Sequence, residues 1–158
     1  MSVRLTFSDP VHLDLEVPPG LAEDFRKALL TLYEVAAETL HGTVQSWADH
    51  RTELSEVLAA RERLTLLGAA LDQVGWSWMF ASDPIELTAQ RDVILDGLKT
   101  ALLDCRQHLG ELWSSAGYRP QPPAGIGEAT DRVEQLQALL AAHSSERVTA
   151  TPRTVVST

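Results

Sequence analysis

Three histidines are the residues of this chain whose types and neighbours could do chemistry. His41, His50 and His108 each have an acidic residue within four positions, and Glu38 precedes His41 by three. Side chains three apart on a helix share one side, and imidazole with carboxylate is a ligand set for zinc, iron or manganese inside helical bundles. If the first and third helices ran parallel, all three histidines would meet at one end of the bundle. The chain would then be a metal-binding enzyme or sensor.

A simpler interpretation competes with this metal site. A dinuclear carboxylate site needs a second Glu-x-x-His motif, and none follows. Cys105 and His108 are also one turn apart, but Cys105 belongs to an apolar seam and is more simply a small buried residue. Phosphate-loop, paired CxxC, HExxH and GxSxG motifs are all missing from the sequence. We therefore expect no catalytic residue, cofactor or metal, and Glu38, His41, His50 and His108 are kept as the candidate ligands.

The densest aromatic run is a candidate surface for binding another protein. Residues 74–80 read Val-Gly-Trp-Ser-Trp-Met-Phe. Large aromatic side chains bury much area and are enriched at the centres of interfaces. A hydrophobic plug at one end of the bundle is the simpler interpretation, and an exposed anchor is the functional one. The anchor would consist of Trp76, Trp78, Met79 and Phe80.

Helices are the main elements that must position these groups. Spacings of three and four between apolar residues predict helices over residues 21–47, 50–79, 84–116 and 128–142. Asp83 and Pro84 predict the start of the third helix, as an N-cap and a first-turn proline. The second and third helices carry seams that should face each other. These seams are Val57, Ala60, Leu64, Leu67, Leu71, Val74 and Trp78, and Leu95, Leu98, Leu102, Cys105, Leu109 and Leu112.

The connection between the first two helices allows two interpretations. We expect a reversal near residues 47–49, because a backward extension of the second seam would place Ser46, His50 and Glu53 in the core. An unbroken helix from residue 21 to residue 78 would be about 85 to 90 Å long and would imply a dimer. Glycines 68, 97 and 110 lie inside the predicted helices, where we expect them to permit close approach of neighbouring helices.

The N-terminal segment alternates apolar and polar residues, which is typical of strands. Residues 3–7 and 11–17 flank a Ser-Asp-Pro turn and predict a β-hairpin within residues 1–18. Its apolar face should pack on the helices, and its free edge could pair with another chain. The predicted fold is mainly α, an antiparallel three- to four-helix bundle with this hairpin packed on it. Residues 1–143 form one domain, with a proline-rich linker at 118–127 and a disordered tail at 144–158.

Composition narrows the range of partners. The 158 residues include 22 acidic against 13 basic residues, giving a net charge of -9, so nucleic acid and anionic membranes would be repelled on average. The N-terminus lacks the pattern of a secretory signal, no apolar run approaches about 20 residues, and a single cysteine suits a reducing compartment. A cytoplasmic protein is expected, and the preference for arginine over lysine hints at a bacterial source.

Two classes of function follow from the sequence. The favoured one is a non-enzymatic protein–protein interaction module, such as an adaptor, an accessory subunit or an immunity-type small protein. Its partner would be another protein, with a second copy of the chain among the candidates. The alternative is the metal-binding enzyme or sensor with a His and carboxylate site at one end of the bundle.

Overall fold

Four helices and one two-stranded sheet make up the described part of the protein. The computed structural model describes residues 12–76, 85–117 and 122–149. In chain order the elements are β1 (His12–Val17), α1 (Pro19–Ala48), α2 (Leu54–Val74), β2 (Ile85–Gln90), α3 (Arg91–Ala116) and α4 (Ile126–Thr149). The predicted fold class, a mainly α helical bundle with an antiparallel β element packed on it, is confirmed, although the strand seen to pair with β1 is β2, whereas the predicted N-terminal β-hairpin used residues 3–7.

Strand β1 pairs with a strand from the middle of the chain. The two strands are antiparallel, with His12 opposite Gln90 and Val17 opposite Ile85. The predicted helix over residues 84–116 therefore begins too early, since residues 85–90 form β2 and α3 begins at Arg91. Asp83, Pro84 and the other predicted strand, residues 3–7, lie outside the described residues.

The burial pattern of β2 explains why this segment is a strand. Ile85, Leu87 and Ala89 are buried and alternate with exposed residues, the period of two that places one face of a strand on a core. The outer edge of β2 is covered by Gln73 of α2. Its amide nitrogen donates to the Thr88 carbonyl at 2.8 Å, and its amide oxygen accepts from the Thr88 N–H at 3.0 Å. This carboxamide takes the place of a neighbouring strand at that edge.

The chain reverses between α1 and α2, close to the predicted place. The turn spans residues 49–53, so the unbroken helix is wrong. His50 has a φ of 60°, and the Arg51 N–H donates to the Ser46 carbonyl at 2.8 Å. Glu53 and Glu56 then form a capping box, in which each side chain accepts from the backbone N–H of the other and fixes the start of α2.

Close helix packing at Gly97 marks the centre of the core. A Cβ atom on Gly97 would lie 2.9 Å from Cε2 of Phe25 and 3.2 Å from Cδ2 of Leu29. The close approach predicted for Gly97 is therefore confirmed. At Gly68 the added atom would lie 3.5 Å from the Tyr33 ring, an ordinary contact. At Gly110 no atom of the described residues lies within 4 Å, so the close approach predicted there is not found among them.

We call the packed region around Gly97 the base. It joins the first half of α1, the second half of α2, the sheet, the first half of α3 and the inner face of α4. Its largest fully buried side chains are Leu15, Val17, Leu21, Phe25, Leu29, Leu67, Leu71, Leu87, Val93, Ile94, Leu98 and Leu136. Seven residues of the two predicted seams are buried, namely Leu95, Leu98, Leu102, Cys105, Leu67, Leu71 and Val74. Five others are only half-buried, namely Leu109, Leu112, Val57, Ala60 and Leu64.

The remaining halves of α1 and α2 leave the base as a helical hairpin. No side chain between residues 37 and 66 is buried. We call this segment the arm. Near the point where the arm leaves the base, Arg63 forms an ion pair with Asp96 of α3.

Helix α4 covers the predicted fourth helix and extends beyond it. It packs on α3 through Ala129, Val133 and Leu136, which are buried. The helix continues to Thr149, so residues 144–149 are helical where the sequence analysis predicted disorder. None of the helices in the described ranges combines the length and hydropathy that a bilayer crossing requires.

Candidate functional site

The structure places His108 far from the other two candidate histidines. His41 lies on the arm and His50 in the turn at its tip, and both are exposed. His108 lines a cleft together with Asp24 and Lys27, near the start of α1. Asp24 precedes His41 by 17 residues, which is about 25 Å along a helix.

The direction of α3 accounts for this separation. Leu29 lies against Gly97, whereas Asp24 and Cys105 line the same cleft, so α1 and α3 run antiparallel. Strand β2 reverses the chain between α2 and α3 and removes the parallel arrangement that would bring the histidines together. His41 instead contacts Gln45, with 3.3 Å between their Nε2 atoms.

The candidate metal ligands are thus divided between two ends of the molecule. Glu38 lies on the arm beside His41 and is exposed. Within the described ranges, no group of three or more His, Cys, Asp or Glu side chains could hold a metal ion.

A cleft of about 280 Å³ lies between α1, α3 and α4. It contains side chains of both charge signs, and Lys27 at its edge forms an ion pair with Glu23 at 2.9 Å. The cleft is lined by Asp24, Lys27, Asp104, Cys105, His108, Ala129 and Arg132. A thiol, an imidazole and a carboxylate therefore occur together, which is the set of groups that cysteine nucleophiles use.

The electrostatics of the cleft oppose thiolate chemistry. The pKa of the Cys105 thiol is raised from 9.0 to about 11, chiefly by burial and also by the Asp24 and Asp104 carboxylates, with Arg132 partly offsetting them. Burial likewise raises the pKa of Asp24, against the lowering effect of Arg132. A reactive cysteine needs the opposite environment, one that lowers the pKa of the thiol. Cys105 therefore remains a protonated, packed thiol at neutral pH.

Only one residue of the predicted aromatic anchor lies within the described ranges. Trp76 is 47% exposed, and its ring meets Tyr33 edge-on with 4.9 Å between centroids. Its indole N–H donates to the Asp72 carboxylate at 2.7 Å. Trp76 is thus held by α1 and α2 with part of its ring open to solvent. Trp78, Met79 and Phe80 lie outside the described residues, so the anchor stays a prediction.

The two sides of the arm differ in character. One side is a groove of about 600 Å³ lined by small and polar residues, namely Thr39, Gly42, Thr43, Ser46, Thr52, Glu56 and Ala60. Residues two apart on a helix differ by about 200° around its axis. Val44 lies two residues from Gly42, and Leu54 and Leu58 each lie two from Glu56. These three apolar side chains therefore point away from the groove.

The side opposite the groove exposes large apolar groups. Leu54 and Leu58 are 51% and 53% exposed, although they are one turn apart on a helix. Val44 lies on the corresponding side of α1 and is exposed, and Trp47, three residues further along that helix, is exposed beside it. We call these four residues the arm face. An apolar surface of this kind, bordered by charged residues, is typical of a site that binds another protein.

A second exposed line of residues runs along α3. Its residues are spaced alternately four and three apart, which is the repeat of a helix-packing seam. They are Lys99, Leu103, Arg106, Gly110 and Trp113. We call this line the α3 stripe. Leu103 and Trp113, at 65% and 55%, are the most exposed large apolar side chains among the described residues. Lys99 and Arg106 form no ion pair with any described residue.

Sequence reasoning found neither the arm face nor the α3 stripe. The four-three spacing of the stripe is visible in the sequence, but α3 also carries the buried seam of Leu98, Leu102 and Cys105 at similar spacing. Spacing alone does not distinguish a seam that is covered from one that is exposed. Comparisons with protein-family models, with curated proteins and with solved structures returned no match, so the functional assignment rests on this geometry.

Proposed function

We propose that this chain is a non-enzymatic protein–protein interaction module that binds through its arm face. It would act as an adaptor, an accessory subunit or an immunity-type small protein of a bacterial cytoplasmic system. The observation that carries the proposal is the exposure of Val44, Trp47, Leu54 and Leu58 on a hairpin without a buried side chain from residue 37 to residue 66.

The cost of leaving these side chains in water supports a binding role. Burying a valine or leucine side chain contributes about 1.5 to 3 kcal/mol, and the arm gives up this contribution at several neighbouring positions. Helical segments as short as those of the arm are marginal on their own in water. A partner that covered the arm face would stabilise the hairpin and remove its apolar surface from solvent.

The cleft supports the same class of function by its chemistry. The thiol is held protonated by burial and by two carboxylates, so it lacks the environment of an activated nucleophile. The acidic composition and the single buried cysteine favour a cytoplasmic protein partner.

Affinity purification of three matched proteins tests the proposal. They are the wild type, a Leu54→Glu/Leu58→Glu double variant and a Val35→Glu control, each expressed with a tag in the native host. Val35 is 54% exposed and lies nine residues from Val44, hence on the opposite side of α1. We expect the wild type and the control to retain a bound protein, either another protein or an untagged copy of this chain, that the double variant loses.

Circular dichroism of each purified variant establishes that the base remains folded. Equal recovery of every bound protein by the wild type and the double variant would contradict the proposal. So would the purification of a wild type with no bound protein at all.

A further inference from the structure

We propose that the partner of the arm face is the α3 stripe of a second copy of this chain, and that two such contacts close a symmetric dimer. This inference rests on the proposed function and adds the identity of the partner. It joins two surfaces that the described residues leave exposed, the arm face and the α3 stripe.

Charge is the first argument for pairing the two surfaces. Glu56 lines the groove, so the charged residues of the arm that can border the arm face are Asp49, Glu53 and Glu62, against Arg51 and Arg61. Two arm faces packed together would therefore bring like net charge together. The α3 stripe carries Lys99 and Arg106 and no carboxylate. In a chain of net charge -9, this stripe is a local cationic surface that complements the arm.

The apolar groups of the two surfaces are complementary in kind. The stripe presents Leu103 and Trp113 on a single helix, whereas the arm face presents its apolar groups on two adjacent helices. A helix laid along a helical hairpin makes a three-helix contact of the kind that bundles use. Tryptophan and arginine are also the residues most often found at the energetic centre of interfaces. The α3 stripe and the helices of the arm are also similar in length, since the stripe spans about 21 Å and each arm helix about 17 Å.

The positions of the two surfaces in the monomer allow both contacts to form at once. Gly97 packs beside Leu29, the arm continues from there along α1, and the stripe continues in the opposite direction along α3. The arm and the stripe thus extend to opposite sides of the base. In an antiparallel dimer the arm of each copy lies beside the stripe of the other, and one two-fold axis generates both contacts.

Light scattering after size-exclusion chromatography tests the inference with the full chain. The wild type should have twice the 17.3 kDa mass of one chain. An arm variant, Leu54→Glu/Leu58→Glu, and a stripe variant, Leu103→Glu/Trp113→Glu, should each be monomeric. The Val35→Glu control should remain dimeric.

Mixing the two variants provides the decisive measurement. The arm variant has an intact stripe and the stripe variant an intact arm, so one contact can form between them. Differently tagged variants mixed at several hundred micromolar should associate with each other, although neither associates with itself. If arms paired with arms instead, the stripe variant would remain dimeric and the mixture would gain nothing.

Milder variants keep the test valid should a glutamate variant unfold. Leu58→Ala and Leu103→Ala should each raise the dimer dissociation constant roughly tenfold. Lys99→Glu/Arg106→Glu should weaken the dimer and reverse its salt dependence, because salt screens an attraction between the two surfaces in the wild type and a repulsion in the variant.

Three results would each overturn the inference. They are a monomeric wild type at several hundred micromolar, a dimeric stripe variant, and a mixture that does not associate. A monomeric wild type that still loses another bound protein through Leu54→Glu/Leu58→Glu would leave the proposed function in place and remove only the second copy as its partner.

Discussion

The base and the arm share two helices, α1 and α2, but the apolar side chains of these helices are buried in the base and more exposed in the arm. Phe25 and Leu29 of α1 and Leu67 and Leu71 of α2 are fully buried, because β1, β2 and α3 cover them. Further along α2, Val57 and Leu64 lie on the same side of the helix as Leu71 but are only half-buried. The difference lies in what packs against the helix pair, since α3 begins close to the point where the arm leaves the base and runs away from the arm. Amphipathic helices become a core only where another element closes over them.

Removal of a large base side chain should have the greatest effect on stability. Phe25→Ala should lower the free energy of unfolding by about 3 to 5 kcal/mol, because it leaves a cavity in a closed core. Leu58→Ala on the arm should change it by less than about 0.5 kcal/mol in the monomer. Urea denaturation of both variants below the dimer dissociation constant measures the contrast. Similar losses would show that the arm is part of the core.

Addition of a single methyl group should separate two glycines of α3. Gly97→Ala should cost about 1 to 3 kcal/mol, because its Cβ would lie 2.9 Å from the Phe25 ring. Gly110→Ala meets nothing within 4 Å and should stabilise the helix by up to about 1 kcal/mol. Thermal unfolding of the two variants should shift in opposite directions. A stabilising Gly97→Ala would disprove the close contact.

The Cys105 thiol should make the stability of the base depend on alkaline pH. Its pKa in the folded protein, about 11, exceeds the reference value of 9.0, so the folded state holds the proton more tightly. The resulting stabilisation is complete below pH 9 and is lost as the pH rises toward 11. Between these values the wild type should lose roughly 1 to 2 kcal/mol more than Cys105→Ala, measured by denaturation at each pH. Parallel pH profiles for the two proteins would be inconsistent with the buried thiol.

The capping box at the tip should affect the arm and leave the base unchanged. Glu53→Ala removes the side chain that accepts from the first turn of α2 and should cost about 0.5 to 1 kcal/mol locally. Hydrogen exchange should quicken in the amides of residues 54–58 and stay constant in those of residues 67–71. Glu62→Ala, in the middle of the same helix, is the matched control. Equal acceleration in both segments would mean that arm and base unfold together.

The parts of the fold that sequence reasoning predicted are those with local signals. The reversal after α1 was expected because Ser46, His50 and Glu53 are poor core residues. The seam of Leu98, Leu102 and Cys105 was expected from its spacing, and these residues are buried.

Strand β2 was missed for a physical reason. Residues 85–90 alternate over only six positions, and Asp83-Pro84 before them imitates a helix start. What makes the segment a strand is its pairing with β1, which lies 68 to 78 positions away in the chain. The error had consequences, because the strand reverses the chain, makes α3 antiparallel to α1, and separates His108 from His41 and His50.

The sequence by itself determined the elements that local spacing encodes: the helical seams, the turn near residue 50, and the absence of the usual catalytic motifs. Only the tertiary structure decided which seams are covered, which way α3 runs, and which polar groups meet in the cleft. The physical reason is that the spacing of apolar residues determines on which side of its own helix a side chain lies. Burial depends in addition on elements that come from elsewhere in the chain. Leu64 and Leu71 lie seven residues apart on one side of α2, yet Leu71 is fully buried and Leu64 is only half-buried, because they differ in what lies across from them.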